Sequence, residues 1–271
     1  MKCVTIEPRS GFPKFSLKEI LQYRELLFFL IWRDVKVRYK QTKIGLVWVI
    51  FNPMVAMLIY TLFFGVIIKV PSGGVPYSLF FFTAYVPYVL FSEGVGRSVT
   101  SIISNASIMK KVYYPKIIMP LSTVISPLID FCIMFGFLLC LMIFFGFYPT
   151  LRVLLIPVVI VSVLFLSTTV GMIVSALNTQ YRDFGYIMSH IMQLWLYASP
   201  VVYMSSVIPH PYSIIYNLNP MVFIIDTMRW IVIGSQFPEL SKLFSFVVLG
   251  IGFLISLTYF KFVETRLVDV V

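Results

Sequence analysis

Residues Arg33 to Pro53 read RDVKVRYKQTKIGLVWVIFNP, and this stretch decides the fold. Arg33, Lys36, Arg38, Lys40 and Lys43 run directly into a charge-free apolar segment that begins at Ile44. Lys and Arg beside a hydrophobic span are retained on the cytoplasmic side, so the junction marks a membrane helix and its orientation together. Composition extends the reading outward. The 271 residues are 59% apolar, 17% aromatic and 12% charged, about half the charged share of a soluble domain. A net charge of +10 would point to nucleic acid in a soluble chain. With the cations set beside apolar spans, the expected partner is anionic membrane lipid, not nucleic acid.

A helix needs about twenty apolar residues to cross the hydrocarbon core. Six segments meet that length, at about 44–68, 78–103, 117–145, 153–177, 184–204 and 243–260. The expectation is an all-α integral membrane protein. A cytoplasmic N-terminus and an amphipathic interfacial helix occupy 1–43, one transmembrane domain occupies 44–262, and a cytoplasmic tail occupies 263–271. Sixteen Lys and Arg fall on the side of the two termini and four on the other, with Arg97 left out as intramembrane, which places both termini in the cytoplasm. The first forty residues are charged and present no small-residue cleavage site, so no cleavable leader is expected. Between the fifth and sixth segments, Asn219-Pro220 is a helix start and Gly234 a stop. The fourteen or so residues between them rise about 21 Å, short of the roughly 30 Å core. They read as a re-entrant or surface helix on which Asp226 and Arg229, three apart, can pair.

Catalytic patterns are missing: the sequence has no GxxxxGK[ST], HExxH or GxSxG, so phosphate-cradling, zinc-protease and nucleophile-elbow chemistries are not expected. Cys3, Cys132 and Cys140 lack metal-site spacing and read as small buried hydrophobes. His190 reads as a packed or hydrogen-bonded side chain, and His210 as solvated. The intramembrane charges carry more information, because such groups face protein or water rather than lipid. Glu93 and Arg97 lie four apart on one helical face and can pair, and Asp130 follows Pro127 inside the third segment. All three are candidates for lining a pathway. Trp48, Tyr60, Tyr85, Tyr88, Trp195 and Tyr197 suit interfacial belts or packing, and equally a track for a sugar chain, since aromatic faces stack on pyranose rings.

The order of these parts resembles a known family. RDVKVRYKQTKIGLVW…NP is followed by two spans and the loop MKKVYYPKIIMP (Met109–Pro120), then by NTQYRD (Asn178–Asp183), SPVVY (Ser199–Tyr203) and Asn219-Pro-Met221. This arrangement is similar to the ABC-2 type transporter permeases of the polysaccharide-export branch, which move O-antigen, capsule or teichoic acid chains. The resemblance implies a homodimer enclosing a channel and two copies of a separate cytoplasmic ABC ATPase. That ATPase would bind ATP and Mg, leaving this chain without a cofactor and without catalysis. It implies a coupling helix near 105–116, with Lys110, Lys111, Tyr113, Tyr114 and Pro115 as ATPase contacts. It also implies a lateral door for lipid-linked substrate, where Arg33, Lys36, Arg38 and Lys40 suit either a pyrophosphate headgroup or bulk anionic lipid. An external gate is implied around Pro209, Asn219, Pro220, Asp226 and Arg229. The expected function is export of an undecaprenyl-diphosphate-linked polysaccharide, most simply O-antigen, across a bacterial inner membrane. Capsule or teichoic acid export, and export of a small molecule or drug, are the alternatives. A membrane enzyme acting on lipids would want paired carboxylates or a His cluster in the loops, and neither is present.

Overall fold

The computed structural model describes residues 21–40, 45–109, 114–209 and 211–264. Among these residues every regular element is helical. Five helices are long and apolar enough to cross a membrane: Val47–Ile67, Tyr77–Ser104, Ile118–Phe144, Leu151–Gln180 and Leu240–Glu264. We number the elements in chain order. Helix α1 is Arg24–Lys40. Helix α2 is Gly45–Tyr60, continued by a π-helical stretch, Thr61–Ile67. Helix α3, Tyr77–Ser104, is the hub, and the short α4, Ala106–Met109, follows it. Helix α3 is buried along most of its length and packs against most of the other spanning helices.

Close approach explains the strongest of these contacts. Helix α7, Ile156–Gln180, carries Gly171 against α3. A Cβ there would lie 2.7 Å from Ser98 Oγ, and a Cβ at Gly94 would lie 3.3 Å from Ser167 Cβ. Small residues at such crossings let backbones approach, which is how helices associate where no hydrophobic force separates protein from lipid. Around α3 and α7 the core is Phe80, Phe81, Phe82, Phe91 and Phe131 with aliphatic neighbours.

Two sequence expectations change at prolines. The third segment is broken into α5, Ile118–Ile125, and α6, Leu128–Phe144, by Ser126-Pro127. A proline cannot donate its backbone hydrogen bond, so the helix restarts after it, with Asp130 in its first turn, where a carboxylate suits the helix dipole. The fifth segment, expected to span from 184 to 204, is helical only over Phe184–Tyr197, named α8 here. Fourteen residues rise about 21 Å, less than the core thickness. The helix stops ahead of Pro200, and buried turns carry the chain on to Val202, whose carbonyl accepts a 2.7 Å hydrogen bond from Tyr77 at the start of α3.

Helix α10, Pro220–Ile233, begins and ends where the sequence places it. Asn219 caps it by accepting from Met221 N, Pro220 takes its first position, and Gly234 ends it at φ 69°. Between α8 and α10 lies α9, Tyr212–Tyr216, and after α10 the last span is α11, Phe244–Glu264. Cys132 and Cys140, expected inside, are exposed on α6. His190 is exposed and bonded to the carbonyl of Tyr186. Cys3 and His210 lie outside the described residues.

Candidate functional site

Helix α1 carries Arg33, Lys36, Arg38 and Lys40 of the decisive stretch and does not stand apart from the bundle. Leu30, fully buried, packs with Tyr114, Ile118 and Met119 along α5. Phe28, Phe29 and Trp32 are left on the open side. From Leu30 the helix runs two more turns and delivers Arg38 and Tyr39 to Asp130, at the start of α6. Arg38 Nη1 donates to Asp130 Oδ2, and Tyr39 Oη donates to Asp130 Oδ1. Arg97, from α3, reaches within 3.9 Å of the same Asp130 oxygen. It also grips Glu93 one turn earlier through Nε at 2.9 Å and Nη2 at 2.6 Å. The i,i+4 pair read from the sequence is present, and the structure adds Arg38 and Asp130 to it.

These four charges line a cavity of about 600 Å³, within the range of small-ligand sites. Its remaining wall is Trp48, Val49, Asn52 and Pro53 of α2, Tyr85 and Val89 of α3, and Met134 of α6. One of the four headgroup candidates, Arg38, therefore meets the pathway candidates Glu93, Arg97 and Asp130 here. Burial, with the hydrogen bond and charge of Asp130, pushes the Tyr39 hydroxyl up to about 12, so it remains a donor at neutral pH. Tyr39 was missed by the sequence reading; the signal was a phenol set between two cations at a membrane junction. Arg33 pairs with its neighbour Asp34 at 2.7 Å. Arg33, Lys36 and Lys40 do not line this cavity.

The other aromatic candidates separate. Tyr60 Oη and Tyr197 Oη lie 3.3 Å apart, and Tyr60 stacks on Phe81. Tyr197 remains half exposed. Tyr88 does not line a pathway: it is buried and donates to the carbonyl of Met192, holding α8 to α3. Trp195 is likewise committed, edge-on to Phe91 and 3.3 Å from Asn219 Oδ1. Tyr114, expected to face an ATPase, is buried against Leu30, Ile118 and Met119, with its hydroxyl pushed up to about 12 by burial. It anchors α1 to the loop and offers a partner no surface. Pro115 accepts from Ile118 N at the start of α5. Lys110, Lys111 and Tyr113 lie outside the described residues. Lys116 binds Glu264 of α11 through its backbone at 3.0 Å and its ammonium at 2.9 Å, so this loop is tied to the last span as well.

A second polar cluster sits at the opposite end of the bundle. Asp226 and Arg229 do not pair with each other. Asp226 takes Lys242 at 2.8 Å and Ser205 Oγ at 2.8 Å. Arg229 lies with its guanidinium 3.7 Å from the centroid of Phe80 and donates to the carbonyls of Val201 at 3.1 Å and Tyr203 at 3.2 Å. Those carbonyls lie in the irregular turns that follow the end of α8 at Tyr197, and a long planar donor satisfies two at once. Asn219 completes the clamp, bonding Ala198 O at 3.2 Å and Ser199 Oγ at 3.1 Å. Pro220 is buried, whereas Pro209 is exposed in the loop before α9.

Comparison with known proteins agrees with this architecture. Residues 25–233 match the family model described as ABC-2 type transporter. The O-antigen export system permease protein RfbA of Myxococcus xanthus is 31% identical over 237 residues, covering 87% of this chain and 90% of that protein. A Klebsiella pneumoniae protein of the same name is 31% identical over 206 residues, 76% of this chain and 79% of its own. The polysialic acid transport protein KpsM of Escherichia coli is 24% identical over 215 residues, 78% of this chain and 82% of its own. A multi-pass bundle of apolar helices, matched over most of its length by one family model, belongs to the ABC-2 type transporter family.

Proposed function

We propose that this chain is the membrane permease of an exporter for undecaprenyl-diphosphate-linked polysaccharide, with O-antigen as its cargo. Two copies enclose the channel in a bacterial inner membrane, and both termini are cytoplasmic. Two copies of a separate ABC ATPase bind ATP and Mg and drive the cycle through the loop before α5. The observation that carries this reading is the cavity in which Arg38 and Arg97 stand beside Trp48, Tyr85 and apolar wall residues. Guanidinium groups bind phosphate in forked geometry, and the apolar wall suits a prenyl chain. The similarity to proteins named as O-antigen permeases supports the cargo. The similarity to KpsM supports capsule-type polysaccharide as the second reading.

Motion at the loop has a short route to this cavity. Tyr114 couples the loop to Leu30 of α1, and two turns along α1 Arg38 meets Asp130. A push on the loop therefore moves the helix that closes the cavity, a rigid-body route between a distant site and a two-state element. Pro209, Asn219, Pro220, Asp226 and Arg229 are proposed to belong to the external gate, held shut by the clamp described above. Deleting this chain's gene is expected to abolish surface polysaccharide and to leave lipid-linked glycan in the cytoplasmic leaflet. Unchanged surface glycan with new drug sensitivity would overturn the cargo. The purified chain is expected to hydrolyse no ATP without its partner, and turnover by the chain alone would overturn the division of labour.

A further inference from the structure

Two donors and a nearby cation, from two helices, converge on one carboxylate. Arg38 and Tyr39 come from α1 and Arg97 from α3, and all address Asp130. Two guanidinium groups and a phenol are the donor set of an anion site. Here the anion is supplied by the protein itself, on the rim of an approximately 600 Å³ cavity. With Glu93 on Arg97, the two cations are matched by two acids among the described residues of the wall. A dianionic headgroup would gain little from such a wall unless an acid gave way.

We propose that Asp130 holds the place of the substrate's phosphate, and that Arg38, Tyr39 and Arg97 are the phosphate-binding residues to which it yields. The proposal rests on the headgroup reading above and adds the seat and its internal competitor. Two guanidinium groups deprived of this carboxylate would be left less well compensated. The carboxylate covers them until an anion with more charge and more acceptor oxygens arrives. The Arg38 and Asp130 side chains are 18% and 10% exposed, so their exchange for a ligand is little screened by solvent. Competition from Asp130 also keeps affinity moderate, and a carrier must release what it binds.

The test uses the full chain in lipid nanodiscs with geranylgeranyl diphosphate as probe and geranylgeraniol as the phosphate-free control. The wild type is expected to prefer the diphosphate. Asp130→Asn is expected to bind the diphosphate about tenfold tighter, because an internal competitor and a negative charge are removed, with the alcohol unchanged. Asp130→Ser is a second uncharged variant, should the asparagine form not fold. Arg38→Gln and Arg97→Gln are each expected to weaken the diphosphate about tenfold, and Tyr39→Phe by a few fold. If the arginine variants weaken binding but both Asp130 variants bind no tighter than wild type, the placeholder role is wrong and the headgroup site stands. If wild type shows no preference for the diphosphate, or both arginine variants are indifferent, the headgroup reading itself is overturned.

Discussion

The cavity at α1, α3 and α6 and the clamp around α10 hold the same kinds of residue to different ends. Each has a carboxylate facing a cation at contact distance and an arginine close by. In the clamp, Asp226 and Lys242 are 12% and 11% exposed, and Arg229 is buried on Phe80 with two carbonyls as acceptors. In the cavity, Arg97 and Glu93 are 33% and 44% exposed beside open space. A charge packed on all sides fixes a backbone that would otherwise leave polar groups unmet. A charge beside a void can exchange partners. The surroundings of an ion pair, more than its length, separate a fastener from a pair placed to exchange partners.

The largest effect expected is on the clamp. Arg229→Ala removes two charge-assisted hydrogen bonds to carbonyls in the turns after α8, at about 1.5 kcal/mol or more each. Thermal unfolding in nanodiscs is expected to drop by about 6–12 °C. Arg97→Gln in the same assay is expected to cost about 1 kcal/mol or less, since its pair with Glu93 is solvent-screened. Equal losses from the two variants would dissolve the distinction between clamp and cavity.

Next in size is the Asp226–Lys242 pair. Neutralising either partner strands the other in a mostly buried site, and Asp226→Asn or Lys242→Met is expected to cost about 2–3 kcal/mol. The double variant Asp226→Asn/Lys242→Met is expected to lose clearly less than the sum of the two single losses. Additive losses in this double-mutant cycle would show that the pair is no fastener.

The smallest effect sharpens the cavity side. Folding raises the Tyr39 pKa to about 12 from an ordinary value of about 10. Its protonated hydroxyl therefore contributes fully below about pH 10, and that contribution fades as pH climbs through about 12. Subtracting the tyrosinate absorbance titration of Tyr39→Phe from that of the wild type is expected to leave a midpoint near pH 12. A midpoint near 10 would place Tyr39 in water, away from Asp130.

Much of this molecule is written locally. The junction at Ile44, the cap at Asn219-Pro220, the stop at Gly234 and the Glu93–Arg97 pair all concern residues within a few turns of one another. Helical periodicity alone brings such residues together. Other features carry no local signal. Arg38 meets Asp130 across 92 positions of sequence and Tyr88 meets Met192 across 104. Asp226 has Arg229 one turn away, yet takes Lys242, because Arg229 is turned to the carbonyls of Val201 and Tyr203. The fifth segment looked long enough to span on composition, since hydropathy averages over a proline that hydrogen bonding cannot ignore. Tyr114 and Trp195 looked free to bind partners because a sequence does not show which aromatic face the chain has already covered.

The sequence by itself determined a membrane protein, five of its apolar spans and the helix start and stop that set α10, because lipid imposes length and polarity on each segment separately. Only the tertiary structure decided which cations share a carboxylate, which of them border open space and which are sealed in, because partner choice depends on distance and surrounding dielectric, and both are set by how distant helices cross.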